Sequence, residues 1–227
     1  MAAVRENDYP VVYGVEDILR SLCDSVVKVL HLATSSRLNY SGMVQRISRT
    51  CLKPDIGCFV LFDGGFSGLV VTNFSAASAM ELYERYMLNM GMSKNGLAST
   101  FTADEVGDAL GELMNQIVGD FTCKVSQELQ THITQNQPKM LALVKHVALS
   151  VDTHLDQPQM RRVTFQTERG NIFYLEMAVD QTEFIRLKDF EAEEVNPDAL
   201  LDQIKNGMDA IANDPAGQDD LLDSLGM

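Results

Sequence analysis

The sequence predicts an α+β fold, and three observations lead there. Apolar residues recur at helical spacing in three separate stretches. Short apolar, β-branched runs stand between and after them, punctuated by glycine turns. The order reads helix, three strands, two helices, three strands. That order suggests two related halves, each a helix with a small antiparallel set of strands, rather than the strict alternation of a parallel sheet. Helices would then cover one face of the sheet.

The first helix is expected over residues 11–32, where Val15, Ile18, Leu19, Leu22, Val26, Val29 and Leu30 keep to one stripe. A strand is expected over residues 43–52. Cys58-Phe-Val-Leu-Phe62, Asp63-Gly-Gly65 and Leu69-Val-Val-Thr72 together read as a hairpin with a glycine-containing loop. A second helix is predicted over residues 76–89 with Ser75 as its cap. Its methionines Met80 and Met87, with Met90 just beyond, read as core filler. After a linker over residues 91–99, a third helix is expected from about Thr102, with Glu105 completing a capping box. It is expected to reach about Gln135 and to stop before Pro138. Three more strands are expected, over residues 144–155, 162–167 and 171–179, the last two joined by the turn Glu168-Arg-Gly170.

The 227 residues suit one domain with an appendage. The domain is placed over residues 11–187 and an acidic C-terminal helix and tail over residues 188–227. From Asp189 onward there are eleven acidic residues and a single basic one, Lys205, so the tail holds ten of the fourteen net negative charges. Asn196 and Pro197 would open a tail helix, and Leu221, Leu222 and Leu225 would form a short amphipathic end. Phosphates need a basic footprint, so a nucleic-acid partner is not expected. No window is apolar enough to span a membrane, and the N-terminus lacks an apolar signal core, so a cytoplasmic location is expected.

Cys23, Cys51, Cys58 and Cys123 form no Cys-x-x-Cys pair and read as buried free thiols in a reducing compartment. The four histidines show no metal-ligand spacing with them, so no metal site of the chain's own is expected. Asp63-Gly-Gly65 lacks the Gly-Lys-Ser/Thr ending of a phosphate loop. Neither a Gly-x-Ser-x-Gly elbow nor a Gly-x-Gly-x-x-Gly dinucleotide motif is present. No cofactor of its own follows.

The third helix carries the most information. Val106, Leu110, Leu113, Ile117 and Phe121 form its apolar stripe, while Asp108, Glu112, Asn115 and Gly119 fall on the opposite face. Glu112 and Asn115, three residues apart, stand as neighbours. Gly111 and Gly119 flank them, although each glycine costs a helix about 1 kcal/mol against alanine.

These residues carry a resemblance. Gly111-Glu-Leu-Met-Asn-Gln-Ile-Val-Gly119 resembles the signature helix of the CheC/CheX/FliY phosphatase family, written Gly-Glu-Leu-x-Asn-x-x-x-Gly. Asp108 and Pro138 fit its fuller pattern, and the order of elements over residues 11–187 is similar. The layout is nearest CheX, because Glu16-Asp-Ile-Leu19 in the first helix lacks the asparagine of a second active face. The polar segment over residues 123–145, with Gln127, Gln130, Gln135 and Gln137, departs from the family pattern, as does the acidic tail.

The resemblance implies a CheX-like domain that hydrolyses the aspartyl phosphate of a phosphorylated CheY-like response regulator, with Mg2+ held by the regulator. In that role Asn115 orients the attacking water and Glu112 pairs with a regulator lysine. Asp108, Gly111 and Gly119 belong to the partner-binding face, and the resemblance to CheX also implies a homodimer. The alternative reading is a catalytically silent adaptor or flagellar-switch-type binding module.

Overall fold

The computed structural model describes residues 12–186. The expected tail helix and the Leu221, Leu222 and Leu225 segment lie outside the described residues. In chain order the elements are β1 (Val12–Tyr13), α1 (Val15–Thr34), β2 (Asn39–Tyr40), β3 (Gln45–Arg46), β4 (Cys51–Leu52), β5 (Ile56–Gly64), β6 (Gly68–Phe74) and α2 (Ala76–Asn89). A short 3-10 turn, Lys94–Gly96, leads to α3 (Asp104–Leu129). Then follow β7 (Ile133–Gln135), β8 (Lys139–Ala142), β9 (Leu149–Ser150), β10 (Pro158–Gln166), β11 (Ile172–Asp180) and β12 (Phe184–Ile185).

One antiparallel sheet organises the rest, in the order β2-β10-β11-β6-β5-β7, with β3 also on β10 and β8 also on β5. Side chains alternate across it, as the two-residue strand period requires. Ile56, Cys58, Val60, Phe62, Val70, Phe173, Leu175 and Met177 face the three helices in the main core. Phe62 meets Phe121 of α3 edge to face, with ring centroids 5.6 Å apart.

The opposite face is covered by irregular chain. Leu69, Val71 and Ala178 pack there against Leu52 and Leu143. The β4–β9 pair forms the cover, and polar side chains of the sheet hold it down. Asn73 accepts from the Lys53 N–H at 2.6 Å and donates to the Cys51 carbonyl at 2.9 Å. Glu176, fully buried, accepts from the Cys51 N–H at 3.0 Å through one oxygen and pairs with Arg162 through the other.

The α+β class, the β5–β6 hairpin and α2 with Ser75 as cap are all as expected; Ser75 Oγ accepts from the Ser78 N–H at 3.2 Å. Four local expectations change. The segment over residues 43–52 forms only the short strands β3 and β4, because its backbone bonds are shared between the sheet edge and the cover. Residues 144–155 form only β9. The α3 N-cap is Ala103, without a side-chain capping bond, so there is no capping box at Thr102 and Glu105. Asp104 and Glu105 in the first turn favour the positive helix end instead. Finally, α3 stops at Leu129 with Gln130 left-handed at φ 52°, and β7 takes up Ile133–Gln135.

The thiols divide by position. Burial pushes Cys23 and Cys58 up to about 12, with the Asp24 charge adding to the effect at Cys23. Contrary to the expectation of four buried thiols, Cys51 is half-buried and Cys123 is exposed. A thiol reagent at neutral pH is expected to modify Cys123 rapidly and to reach Cys23 and Cys58 only on unfolding. Peptide mapping after a brief pulse, with and without denaturant, checks this.

Candidate functional site

The apolar stripe of α3 is buried to the last residue: Val106, Leu110, Leu113, Ile117 and Phe121 lie in the main core. That fixes the rotation of the helix. Asp108, Glu112, Asn115 and Gln116 are therefore exposed along the opposite face. Beside its first turns lies a groove of about 410 Å³, lined by Asp104, Gly107, Asp108 and Gly111 on one side and Pro138 and Met140 on the other.

Both polar residues of the pair are held from within the chain. Gln116 Nε2 donates to Glu112 Oε1 at 2.8 Å, one turn along the helix. Gln135 Nε2 donates to the Asn115 backbone carbonyl at 3.2 Å and to Asn115 Oδ1 at 3.0 Å. Glu112 Oε2 and Asn115 Nδ2 have no partner among the described residues. The face thus offers one carboxylate oxygen and one amide donor to whatever approaches it.

The two glycines also have neighbours inside the chain. A Cβ on Gly111 would meet Met140 Cγ of β8 at 3.4 Å, and one on Gly119 would meet Gln135 Nε2 of β7 at 3.9 Å. These are ordinary contact distances, so a Cβ at either position would fit beside β7 and β8 without displacing them.

Asp120, next to Gly119, ties α3 to α1. It pairs with Lys28 at 2.6 Å and with Lys124 at 2.7 Å. Burial raises its carboxyl, but hydrogen bonds from Lys124, Lys28 and Ser25 outweigh that and lower it from 3.8 to about 2. A depressed carboxylate adds stability that is present above its unfolded value and is lost as pH falls through the folded one. Because Lys28 is half exposed and solvent screens the pair, Asp120→Asn is expected to lower stability by about 1 kcal/mol at pH 7, with the difference from wild type closing between about pH 4 and pH 2. Urea unfolding of both proteins across that range measures it.

Gln135 is the site residue that sequence reasoning missed. Its segment stands out as glutamine-rich, yet periodicity alone extends α3 through it. The structure ends the helix at Leu129, and the alternation of β7 puts buried Ile133 and Gln135 on the same face, towards α3. Among the described residues no cluster of three His, Cys, Asp or Glu side chains is arranged to hold a metal ion. None of the described helices is long and apolar enough to cross a membrane.

The architecture is that of the CheC/CheX/FliY proteins. Chemotaxis protein CheX from Desulfovibrio desulfuricans is similar with a TM-score of 0.58 at 18% identity, over 72% of this chain and 99% of that one. CheX from Vibrio vulnificus gives 0.59 at 14% identity, over 72% and 99%. CheX in the CheX–CheY–BeF3–Mg2+ complex of Borrelia burgdorferi gives 0.54 at 15% identity, over 73% and 99%. By sequence, the chain belongs to the family described as "Protein of unknown function (DUF3334)", whose model matches residues 9–227. No curated protein matches the sequence.

Proposed function

We propose that this protein is a CheX-like phosphatase that hydrolyses the aspartyl phosphate of a CheY-like response regulator in the cytoplasm. The observation that carries the reading is the exposed Glu112/Asn115 face, presented on a helix whose opposite stripe is locked in the core. The CheX–CheY complex among the similar structures supports the choice of partner. Phosphoryl transfer depends mostly on positioning and on stabilising charge, so an amide that fixes a water can suffice. Asn115 Nδ2 would donate to the attacking water. The water oxygen bonds to phosphorus, the bond to the aspartyl oxygen breaks, and the products are a free carboxylate and inorganic phosphate. An uncharged amide suits this place because a second anion would repel the phosphoryl group. Glu112, through its unbonded Oε2, would pair with a regulator lysine. Asp108, Gly111 and Gly119 would belong to the contact face, and Mg2+ would be the regulator's.

The test is the decay of phosphorylated regulator with wild type and with Asn115→Ala. Wild type is expected to shorten the half-life, and the variant to lose at least about a hundredfold of that rate, as removal of one fixed polar group does in other hydrolytic sites. If wild type binds the regulator without shortening the half-life, the silent-adaptor reading takes its place.

A further inference from the structure

We infer that Gln135 is a positioning residue for Asn115, holding its amide so that the donor nitrogen faces outward. The inference rests on the hydrolytic reading above and extends it to a residue outside the signature helix.

Asn115 Oδ1 and the Asn115 backbone carbonyl are both acceptors, and both are met by the single Nε2 of Gln135, at 3.0 and 3.2 Å. A backbone carbonyl can only accept. Turning the Gln135 amide over would set its oxygen against that carbonyl, so the carbonyl fixes which end of Gln135 faces α3. Gln135 then fixes which end of Asn115 faces it. With Oδ1 held inward, Nδ2 is left at the exposed surface.

The cost of this arrangement is visible. Gln135 Oε1 is buried and has no hydrogen-bond partner among the described residues. An unmet buried acceptor costs about 1–3 kcal/mol, and such groups in a folded protein call for a reason. Holding Asn115 supplies one.

The consequence for chemistry is one of sign. A donor that holds the attacking water beside the phosphoryl group also attracts the phosphoryl oxygens, whereas an acceptor in the same place repels them. Gln135→Glu reverses the arrangement: its carboxylate is repelled by the Asn115 backbone carbonyl and by Oδ1 and is attracted only by Nδ2, so the Asn115 amide turns over to meet it. Gln135→Ala only releases it.

Two measurements on the full chain test this. In side-chain amide NMR spectra, the Asn115 Nδ2 protons are expected to exchange freely with water in wild type and to become protected in Gln135→Glu. In regulator dephosphorylation, Gln135→Glu is expected to lower kcat by roughly tenfold to a hundredfold. KM should stay within about twofold, because the contact face is unchanged, and Gln135→Ala should fall between the two. Thermal midpoints of the variants separate this from unfolding. If the amide protons respond as expected but wild type does not hydrolyse the regulator, the positioning stands and the phosphatase reading fails. If the amide protons do not respond, or if an active wild type keeps its full kcat in Gln135→Glu, the inference is overturned.

Discussion

Replacing Glu176 with alanine is expected to cost about 3–5 kcal/mol, the range found when one partner of a buried pair is removed. The residue is fully buried on the face of the sheet away from the helices. One oxygen accepts from Arg162 Nε at 2.8 Å and pairs with its Nη2 at 2.7 Å, and the other accepts from the Cys51 N–H at 3.0 Å. Truncation strands a guanidinium whose side chain is only 21% exposed, and it frees the β4 cover at one of its two polar anchors. Arg162 also sits 5.9 Å from the Tyr174 ring centroid, which limits how far it can retreat towards water. Urea unfolding of Glu176→Ala measures the loss. Because the pair's desolvation cost is large, the double substitution Arg162→Met/Glu176→Leu should recover much of it. A loss below about 1 kcal/mol would mean that Asn73 alone holds the cover.

Gly64→Ala is the second large effect. Gly64 has φ 147°, a backbone state that residues with a Cβ rarely adopt. A Cβ there would stand 2.0 Å from the His132 carbonyl oxygen, which belongs to backbone and cannot swing away. That carbonyl accepts the Gly65 N–H at 3.0 Å, and the same contact sets β7 beside β5. Strain and displacement together are expected to cost about 2–4 kcal/mol. The damage should spread to the site, because β7 carries Gln135. Thermal unfolding reads the first effect, and loss of the protected Gln135 side-chain amide signal reads the second. A stable variant with that signal intact would show that the turn has room to relax.

The sequence makes the three helices and the central hairpin legible because their cores obey simple periods. The α3 stripe repeats at helical spacing and is entirely buried, so the exposure of Glu112 and Asn115 follows from it. The cover is not legible in this way. The β4 strand shows no alternating pattern because the backbone of Cys51 and Lys53 is held by the side chains of Asn73 and Glu176, far away in the chain. The end of α3 is similarly obscured. Nothing before Pro138 announces a stop, and Gln130 adopts the left-handed cap without being glycine or asparagine. The hold of Gln135 on Asn115 spans twenty residues and a change from helix to strand, which no local pattern records.

In the proposed hydrolysis the Asn115 amide places the attacking water. Asn115→Asp tests it most directly, because it changes one nitrogen to oxygen, keeps the shape, and leaves the Gln135 Nε2 hydrogen bond available. The measurement is the half-life of a phosphorylated CheY-like regulator with wild type and with Asn115→Asp, at equal concentration and saturating Mg2+. A shortened half-life is expected with wild type and the regulator's own decay with Asn115→Asp, at an unchanged thermal midpoint. Equal acceleration by both proteins would contradict it.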